Sequence, residues 1–243
     1  MGSIYQEIIQ AKNNNQKLLG ILLDPEKINT HNIKSLVNAI HTSPATHILV
    51  GGSTIQDISS HVKNIVNILK ENTNLPILLF PANIFQVCAQ ADALLYLMLL
   101  SGRNPEYLIE QQIKAVPIIQ QSKIEVISTG YILVDGGTET STMKVTQTKP
   151  ISQQDLTSIV QTAVAGEYIG NKIIYLEAGS GAKFRVSNTI IEHVASHVSI
   201  PILVGGGIKT SQDIDSAYKA GADMVIIGTA FENNTSFFHN LEV

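Results

Sequence analysis

Clusters of glycine follow three apolar runs in the second half of this 243-residue sequence. They are Gly179-Ser180-Gly181, Gly205-Gly206-Gly207 and Gly228-Thr229. Glycine leaves backbone N–H groups uncovered, so an anion can approach them closely, and the N-terminus of a following helix adds a favourable dipole. One such cluster is as compatible with a tight turn as with a ligand. Three clusters at the ends of neighbouring strands favour a phosphate-binding site.

Asp24 also ends an apolar run, and two interpretations of it stay open. Because Pro25 comes next, Asp24 is a suitable cap for a following helix. It is equally suited to bind Mg²⁺, which takes one or two carboxylates and completes its coordination with phosphate oxygens and water. Ser53 or Thr54, at the end of the next apolar run, offers a hydroxyl ligand for the same ion.

Glu177 lies at the end of a run that is otherwise apolar or small. A carboxylate there is costly to bury unless it is paired or takes part in chemistry. The structural alternative is an ion pair with Lys183 or Arg185. A second candidate, the pair His193 and His197, has a spacing that metals use, but it belongs to a predicted helix away from the strand ends, where a solvated face is the favoured interpretation.

Eight short apolar runs recur along the chain and predict strands. Each is nearly continuous rather than alternating, which is typical of parallel strands buried on both faces. The runs are Leu18–Leu23, His47–Val50, Pro76–Phe80, Ala93–Leu100, Ile124–Ile127, Lys172–Leu176, Ile202–Val204 and Met224–Ile227.

Amphipathic patterns between these runs predict helices. Residues 61–69 place Val62, Ile65, Val66 and Leu69 on one stripe, and residues 188–197 repeat the pattern. A third helix is expected to be capped by Ser211 and closed by Gly221.

Alternating strands and helices imply a parallel sheet with right-handed crossovers. Eight units of about 30 residues favour an α/β fold with a closed (βα)8 TIM barrel, in one domain over residues 1–243, ahead of an open doubly wound sheet. In a barrel the active site forms at the carboxyl ends of the strands, where all the candidate residues above except the histidine pair are found. The Thr-rich segment from Gly136 to Pro150 interrupts the rhythm, and we expect it to be mobile without substrate and near the barrel mouth.

Composition excludes several other classes of protein. A net charge of −4 argues against a nucleic-acid surface, and one cysteine, Cys88, rules out an intramolecular disulfide. The sequence shows no run long enough to span a bilayer and no signal peptide. We therefore expect a cytoplasmic protein.

Five strings together carry a family resemblance: Leu22-Leu23-Asp24-Pro25-Glu26-Lys27, Val50-Gly51-Gly52-Ser53, Ser101-Gly102-Arg103-Asn104-Pro105, Tyr175-Leu176-Glu177-Ala178-Gly179-Ser180-Gly181 and Val204-Gly205-Gly206-Gly207-Ile208. The five strings occur in this order along the chain, and through them the sequence resembles the geranylgeranylglyceryl phosphate synthase family, which includes the heptaprenylglyceryl phosphate synthases. The resemblance covers nearly the whole chain. It implies a modified TIM barrel and a Mg²⁺-dependent prenyltransferase that joins the C3 hydroxyl of sn-glycerol 1-phosphate to a polyprenyl diphosphate, geranylgeranyl or longer, and releases diphosphate.

The resemblance also assigns roles to residues. It implies that Asp24 and Ser53 hold the metal. The implied glycerol phosphate site consists of Tyr175, Leu176, Glu177, Ala178, Gly179, Ser180, Gly181, Gly205, Gly206, Gly207, Gly228 and Thr229. One branch of the family carries a lysine two positions before the metal aspartate, and here that position is Leu22.

Glu177 is expected to orient the glycerol hydroxyl and accept its proton, with Tyr175 as the second catalytic candidate. A long tail needs an apolar groove, for which we predict residues 94–100 and 131–134. We further expect a homo-oligomer and transient contact of the lipid product with a membrane surface. The alternatives are another phosphate-handling barrel, such as an isomerase or an aldolase, and a non-catalytic barrel that binds a phosphorylated ligand. An aldolase would need a Schiff-base lysine, and the one candidate, Lys172, lies at the wrong end of its strand.

Overall fold

The computed structural model describes residues 3–28, 33–53, 56–235 and 237–238. Eight parallel strands close into a barrel in chain order, and the last strand pairs with the first through Leu18 and Met224. This confirms the predicted (βα)8 barrel. The strands are β1 Leu18–Leu23, β2 His47–Val50, β3 Ile77–Leu79, β4 Ala93–Leu99, β5 Glu125–Leu133, β6 Ile173–Glu177, β7 Ile202–Gly205 and β8 Met224–Ile227.

The α-helices of the described residues follow the strands and surround the barrel. They are α1 Ile4–Asn13, α2 Ile33–His41, α3 Ser59–Asn72, α4 Gln111–Ser122, α5 Ser141–Thr146, α6 Leu156–Tyr168, α7 Asn188–Ala195, α8 Ser211–Lys219 and α9 Thr229–Asn233. The π-helix Glu106–Glu110 precedes α4. The connection from β3 to β4, residues 80–92, is described throughout and contains only the short 3-10 helix Ile84–Gln86. The ring of helices is therefore open beside β4.

The core has two layers. Side chains such as Leu49, Leu95 and Leu203 fill the barrel interior, while the opposite faces of the strands pack against the helices. Helix α1 closes the amino-terminal end of the barrel with Ile4 and Ile8. Because that end is filled, a ligand must enter at the carboxyl ends of the strands.

Strand β5 is longer than the sequence predicted. It runs to Leu133, so residues 128–133 belong to the hydrogen-bonded sheet and do not start a polar loop. Thr129 is fully buried and its hydroxyl donates to the carbonyl of Ile127, which satisfies its polarity inside the sheet. A Cβ at Gly130 would lie 2.6 Å from the Leu100 side chain, so glycine permits close packing there. The turn-like composition concealed this strand.

The helix predictions for residues 61–69 and 188–197 are confirmed in α3 and α7. The predicted cap Ser211 is wrong by one residue. Thr210 caps α8: its hydroxyl accepts from the N–H of Asp213 at 3.1 Å, and the Asp213 carboxylate accepts from the N–H of Thr210 at 3.0 Å. Gly221 follows the helix with a positive φ of 113°, as predicted.

The segment from Gly136 to Pro150 reaches the barrel mouth, as predicted, but it is not all loop. Helix α5 forms within it, started by Thr140, whose hydroxyl accepts from the N–H of Met143 at 3.3 Å. The Tyr107 hydroxyl donates to the carbonyl of Val145 at 3.2 Å and connects α5 to the π-helix. Mobility of this segment without substrate stays a prediction.

None of the helices in the described residues is long and apolar enough to cross a membrane.

Candidate active site

A polar cavity of about 650 Å³ opens at the carboxyl ends of the strands. It is bounded by the ends of β1, β2, β6, β7 and β8 and by α5. The predicted site residues that line it are Asp24, Ser53, Tyr175, Glu177, Ser180, Gly181, Gly206, Gly207, Gly228 and Thr229. Residues from distant parts of the sequence thus meet where barrel geometry predicts.

Four of the predicted residues lie behind the cavity wall. Leu176 and Ala178 pack in the layer between the barrel and its helices. Gly179 donates its N–H to the Glu177 carboxylate, and Gly205 lies against the side chains of Tyr175 and Glu177. Their contribution is to shape and hold the lining residues.

Glu177 is the buried carboxylate of the cavity. Its Oε1 accepts from the N–H of Gly179 at 2.6 Å. Burial raises the pKa of the carboxyl to about 7, because desolvation penalises the charged form more than this hydrogen bond favours it. The suggested ion-pair partners are engaged elsewhere: Arg185 pairs with Asp213 at 3.1 Å, and Lys183 lies over the ring of Phe184. Glu177 therefore forms no ion pair within the described chain.

Tyr175 places its hydroxyl beside this carboxylate. The side chain is fully buried, and its hydroxyl makes no hydrogen bond of good geometry with any described residue. Burial, and then the nearby charge of Glu177, raise the pKa of the phenol well above its ordinary value. Tyr175 and Glu177 therefore present a hydroxyl and a carboxylate side by side to one small region of the cavity.

The glycines that follow β7 and β8 leave donors free beside Glu177. The N–H groups of Gly206, Gly207, Gly228 and Thr229 make no hydrogen bond to another described residue. Gly206 has a φ of +78°, and a Cβ there would overlap Glu177 Oε1. Glycine is thus needed both for the turn and for the approach of the carboxylate. These converging donors suit a phosphate group.

Asp24 is not a helix cap in this fold. Its Oδ1 accepts from the N–H of Glu26 at 3.1 Å and its carbonyl accepts from the N–H of Lys27 at 3.0 Å, which makes residues 24–27 a turn. No helix follows Asp24 over residues 25–28, and the described part of α2 starts at Ile33, with residues 29–32 outside the described residues. The carboxylate also faces Gly52, where a Cβ would lie 2.7 Å from Asp24 Oδ1. The capping interpretation of Asp24 therefore does not apply.

Ser53 follows Gly52 directly and lines the same cavity as Asp24. Its hydroxyl lies 3.5 Å from that of Thr142 in α5. The other candidate, Thr54, lies outside the described residues. One carboxylate and one hydroxyl are oxygen donors that Mg²⁺ accepts, and no cluster of three or more His, Cys, Asp or Glu exists among the described residues. The donor set therefore fits an ion that takes its remaining ligands from phosphate and water.

Two charged residues at the mouth were missed by sequence reasoning. Lys27 Nζ lies 2.8 Å from Glu232 Oε2 and 3.6 Å from Asp24 Oδ2. Glu232 Oε1 also accepts from the N–H of Asp24 at 3.1 Å. The signal for Glu232 was weak, because it lies four residues after Gly228 and reaches the cavity only through the turn of α9, which the sequence did not predict.

An apolar cavity of about 100 Å³ adjoins the polar one, between β4 and α4. It lies where the ring of helices is open. Its walls include the predicted Leu94, Leu95, Tyr96, Leu97, Leu99 and Tyr131. Leu133 instead faces the barrel interior, and Ile132 and Val134 face the outer layer. Phe80, Tyr107 and Ala115 also line it and were not predicted as groove residues.

Three aromatic rings stand where the two cavities meet. The ring centroids of Phe80 and Tyr175 are 5.2 Å apart, those of Tyr131 and Tyr175 5.5 Å, and those of Phe80 and Tyr131 6.0 Å. Phe80 and Tyr131 line both cavities, as does Ser53. A ligand that passes from one cavity to the other must therefore pass these rings.

The histidine pair lies away from this site. His193 is exposed on α7 and His197 is exposed two residues beyond its end, and their ring Nδ1 atoms lie 2.8 and 2.7 Å from carbonyls of that helix. The interpretation as a solvated face agrees with this placement.

Comparison with known proteins finds relatives that match nearly the whole chain. The chain is 50% identical over 236 residues to the geranylgeranylglyceryl phosphate synthase of Flavobacterium johnsoniae, with 97% of this chain and 96% of that protein covered. It is 48% identical over 233 residues to the protein of that name from Zunongwangia profunda, covering 96% and 98%. Among solved structures, (S)-3-O-geranylgeranylglyceryl phosphate synthase of Thermoplasma acidophilum, in complex with sn-glycerol-1-phosphate, superposes with a TM-score of 0.91 at 28% identity, covering 98% and 95%.

The family model described as the PcrB family matches residues 12–241. The predicted resemblance is thereby confirmed, together with the expectation of an enzyme of the prenyltransferase kind. The chain belongs to the PcrB family.

Proposed function

We propose that this protein joins the C3 hydroxyl of sn-glycerol 1-phosphate to a polyprenyl diphosphate of geranylgeranyl length or longer, with Mg²⁺, and releases diphosphate. The observation that carries the proposal is the junction of a polar and an apolar cavity at Ser53, Phe80 and Tyr131. A reaction between a small phosphorylated alcohol and a lipid needs two such compartments with one shared point. The names of the relatives and the glycerol phosphate in the Thermoplasma acidophilum structure support the same pair of substrates.

The free donors of Gly206, Gly207, Gly228 and Thr229 would hold the phosphate of glycerol phosphate. The glycerol hydroxyls would then lie near Glu177, whose carboxylate borders Gly206. Since backbone groups at the ends of two strands would fix the phosphate, the hydroxyl would be held in one place. Holding it there lowers the entropic cost of bringing the two substrates together.

Glu177 would accept the proton of the attacking hydroxyl. With a pKa of about 7, it is partly ionised near neutral pH and holds a proton readily once transferred. The Tyr175 hydroxyl is available to orient the same glycerol oxygen. In the balanced step, the allylic C–O bond breaks, the bonding pair leaves with diphosphate, the glycerol oxygen bonds to the allylic carbon, and its proton passes to Glu177.

Asp24 and Ser53 would hold the magnesium ion at the ends of β1 and β2. When bound, Mg²⁺ neutralises charge that develops on the departing diphosphate. Ser53 lines both cavities and Asp24 lines the polar one, so a diphosphate on this ion would lie between the glycerol site and the apolar cavity. The rings of Phe80 and Tyr131 lie beside this point, and their faces favour a neighbouring cationic carbon.

The alternatives fare less well against the structure. An aldolase would need a buried lysine at the cavity, but Lys172 is exposed before β6 and lies over the ring of Tyr5 at 5.1 Å. A non-catalytic barrel would be favoured if the carboxylates were paired with cations. Asp24 has Lys27 at 3.6 Å, whereas Glu177 faces the cavity without one.

Radiolabelled glycerol 1-phosphate, incubated with Mg²⁺ and a ladder of prenyl diphosphates, tests the proposal. We expect label in a chloroform-soluble product with at least one prenyl diphosphate of geranylgeranyl length or longer, and chromatography of the product gives the chain length. Label that stays in the aqueous phase with every prenyl diphosphate would contradict the proposal.

A further inference from the structure

Gln86 is a fully buried polar residue that the proposed reaction does not use. It ends the 3-10 helix in the connection between β3 and β4. Its Nε2 donates to the carbonyl of Gly52 at 3.0 Å, and its Oε1 accepts from the N–H of Gly52 at 3.2 Å. The same Oε1 accepts from the N–H of Ala82 at 3.2 Å. One side-chain amide thus bonds both backbone groups of a glycine on another strand's end and a donor in its own segment.

This bonding replaces a ladder that has ended. The last pairing between β2 and β3 is Val50 with Leu79, and the N–H of Phe80 donates to Val50 at 2.8 Å. Beyond that point a strand-like partner for Gly52 is supplied by the Gln86 side chain. A buried amide is costly unless its hydrogen bonds are made. Those of Gln86 hold its own segment against Gly52.

The two segments joined by Gln86 reach different parts of the site. Gly52 precedes Ser53, lies against the Asp24 carboxylate and lines both cavities. Ala82 lies in the wall of the apolar cavity. Beyond the last backbone hydrogen bond between β2 and β3, this amide holds the proposed metal ligands in place relative to the apolar wall.

We propose that Gln86 is a positioning residue, which sets the place of Gly52-Ser53, and hence of the metal-bound diphosphate, relative to the groove for the prenyl tail. The inference rests on the proposed function, because it takes Asp24 and Ser53 as the metal site. Gln86 acts through the backbone and touches neither substrate.

The test is calorimetric binding of inorganic diphosphate in the presence of Mg²⁺, with Gln86→Met, which keeps the length of the side chain and removes its hydrogen bonds. We expect about tenfold weaker binding of diphosphate, a change in affinity about as large as the net contribution of one good hydrogen bond. The affinity for glycerol 1-phosphate should not change. In turnover, kcat/KM for the prenyl diphosphate should fall by about a hundredfold, as for a small misplacement of reacting groups.

Gln111→Met is the matched control. Gln111 Oε1 accepts from the N–H of Ile84 at 3.3 Å and so holds the same 3-10 helix, but from α4 rather than from Gly52. If general loosening of the connection were the cause, both variants would weaken diphosphate binding alike, and the proposal would be overturned. We expect Gln111→Met to leave Mg²⁺-dependent binding of diphosphate unchanged.

Gln86→Glu provides a second variant if Gln86→Met does not fold. It keeps the two hydrogen bonds accepted from Gly52 and Ala82, loses the one donated to Gly52 and adds a buried negative charge, so we expect a loss in the same direction. Wild-type diphosphate affinity in a folded Gln86 variant contradicts the positioning role. Wild-type protein that binds diphosphate equally with and without Mg²⁺ contradicts the proposed metal site instead, so the two failures are distinguishable.

Discussion

The polar and the apolar cavity are built in different ways. The polar cavity is formed by residues that directly follow strands, such as Asp24 after β1 and Gly228 after β8, and the closed barrel brings them together. The apolar cavity lies beside β4, where the connection from β3, residues 80–92, contains no α-helix to cover the strand. A site of the first kind follows from the positions of its residues in the sequence, whereas a site of the second kind follows from what the fold leaves open.

The largest expected effect comes from a variant that impairs the polar cavity alone. Asp24→Asn keeps the shape of the side chain and removes its charge, so the phosphate donors on β7 and β8 should bind glycerol phosphate with nearly wild-type affinity. Turnover should fall by about a thousandfold, because charge on the departing diphosphate loses several kcal/mol of stabilisation. Titration of glycerol phosphate and timed product formation at saturating Mg²⁺ check both halves, and wild-type turnover in this variant would falsify the metal assignment.

Glu177→Gln tests the proton acceptor of the same cavity. Since the raised pKa of Glu177 keeps it protonated below about 7, wild-type activity should rise with pH through this value as the carboxylate forms. The variant should lose about a hundredfold or more in kcat. Its remaining activity should lack the rise near pH 7, as measured by kcat over pH 5.5–8.5. A variant that retains the wild-type pH profile contradicts the assignment.

Phe80→Leu sharpens the comparison at the junction, because Phe80 belongs to both cavities. Leucine keeps an apolar wall and removes the ring, so the loss should fall on kcat, by about tenfold, rather than on the KM of either substrate. Steady-state kinetics with both substrates varied separate these effects. An equal rise in both KM values with unchanged kcat would mean that the ring serves only as packing.

The smallest effect should be confined to the apolar side. Ala115 is buried in the wall of that cavity on α4. Ala115→Leu fills part of it, and we expect a several-fold rise in KM that grows with the length of the prenyl diphosphate, at about 1 kcal/mol for each displaced methylene. Glycerol phosphate affinity, measured by calorimetry, should not change. An equal effect on all chain lengths would place the tail elsewhere.

The same contrast explains how far the sequence could predict this molecule. The barrel and most strand bounds follow from continuous apolar runs, and Asp24, Glu177 and the glycines follow from strand ends. Strand β5 was cut short because Thr129 and Gly130 resemble a turn, and their roles depend on partners in α6 and β6. Gln86 gave no signal and Glu232 only a weak one, because each acts on a residue distant in sequence. A homo-oligomer and contact with a membrane surface stay predictions.

A structure with sn-glycerol 1-phosphate and a non-hydrolysable prenyl diphosphate analogue tests the central claim most directly. We predict that the phosphate lies on the N–H groups of Gly206, Gly207, Gly228 and Thr229. The first carbon of the prenyl chain should lie between Phe80 and Tyr131, with the tail running between β4 and α4. A tail bound outside that cavity, or a glycerol phosphate away from the four donors, would contradict the account of two cavities that meet at one point.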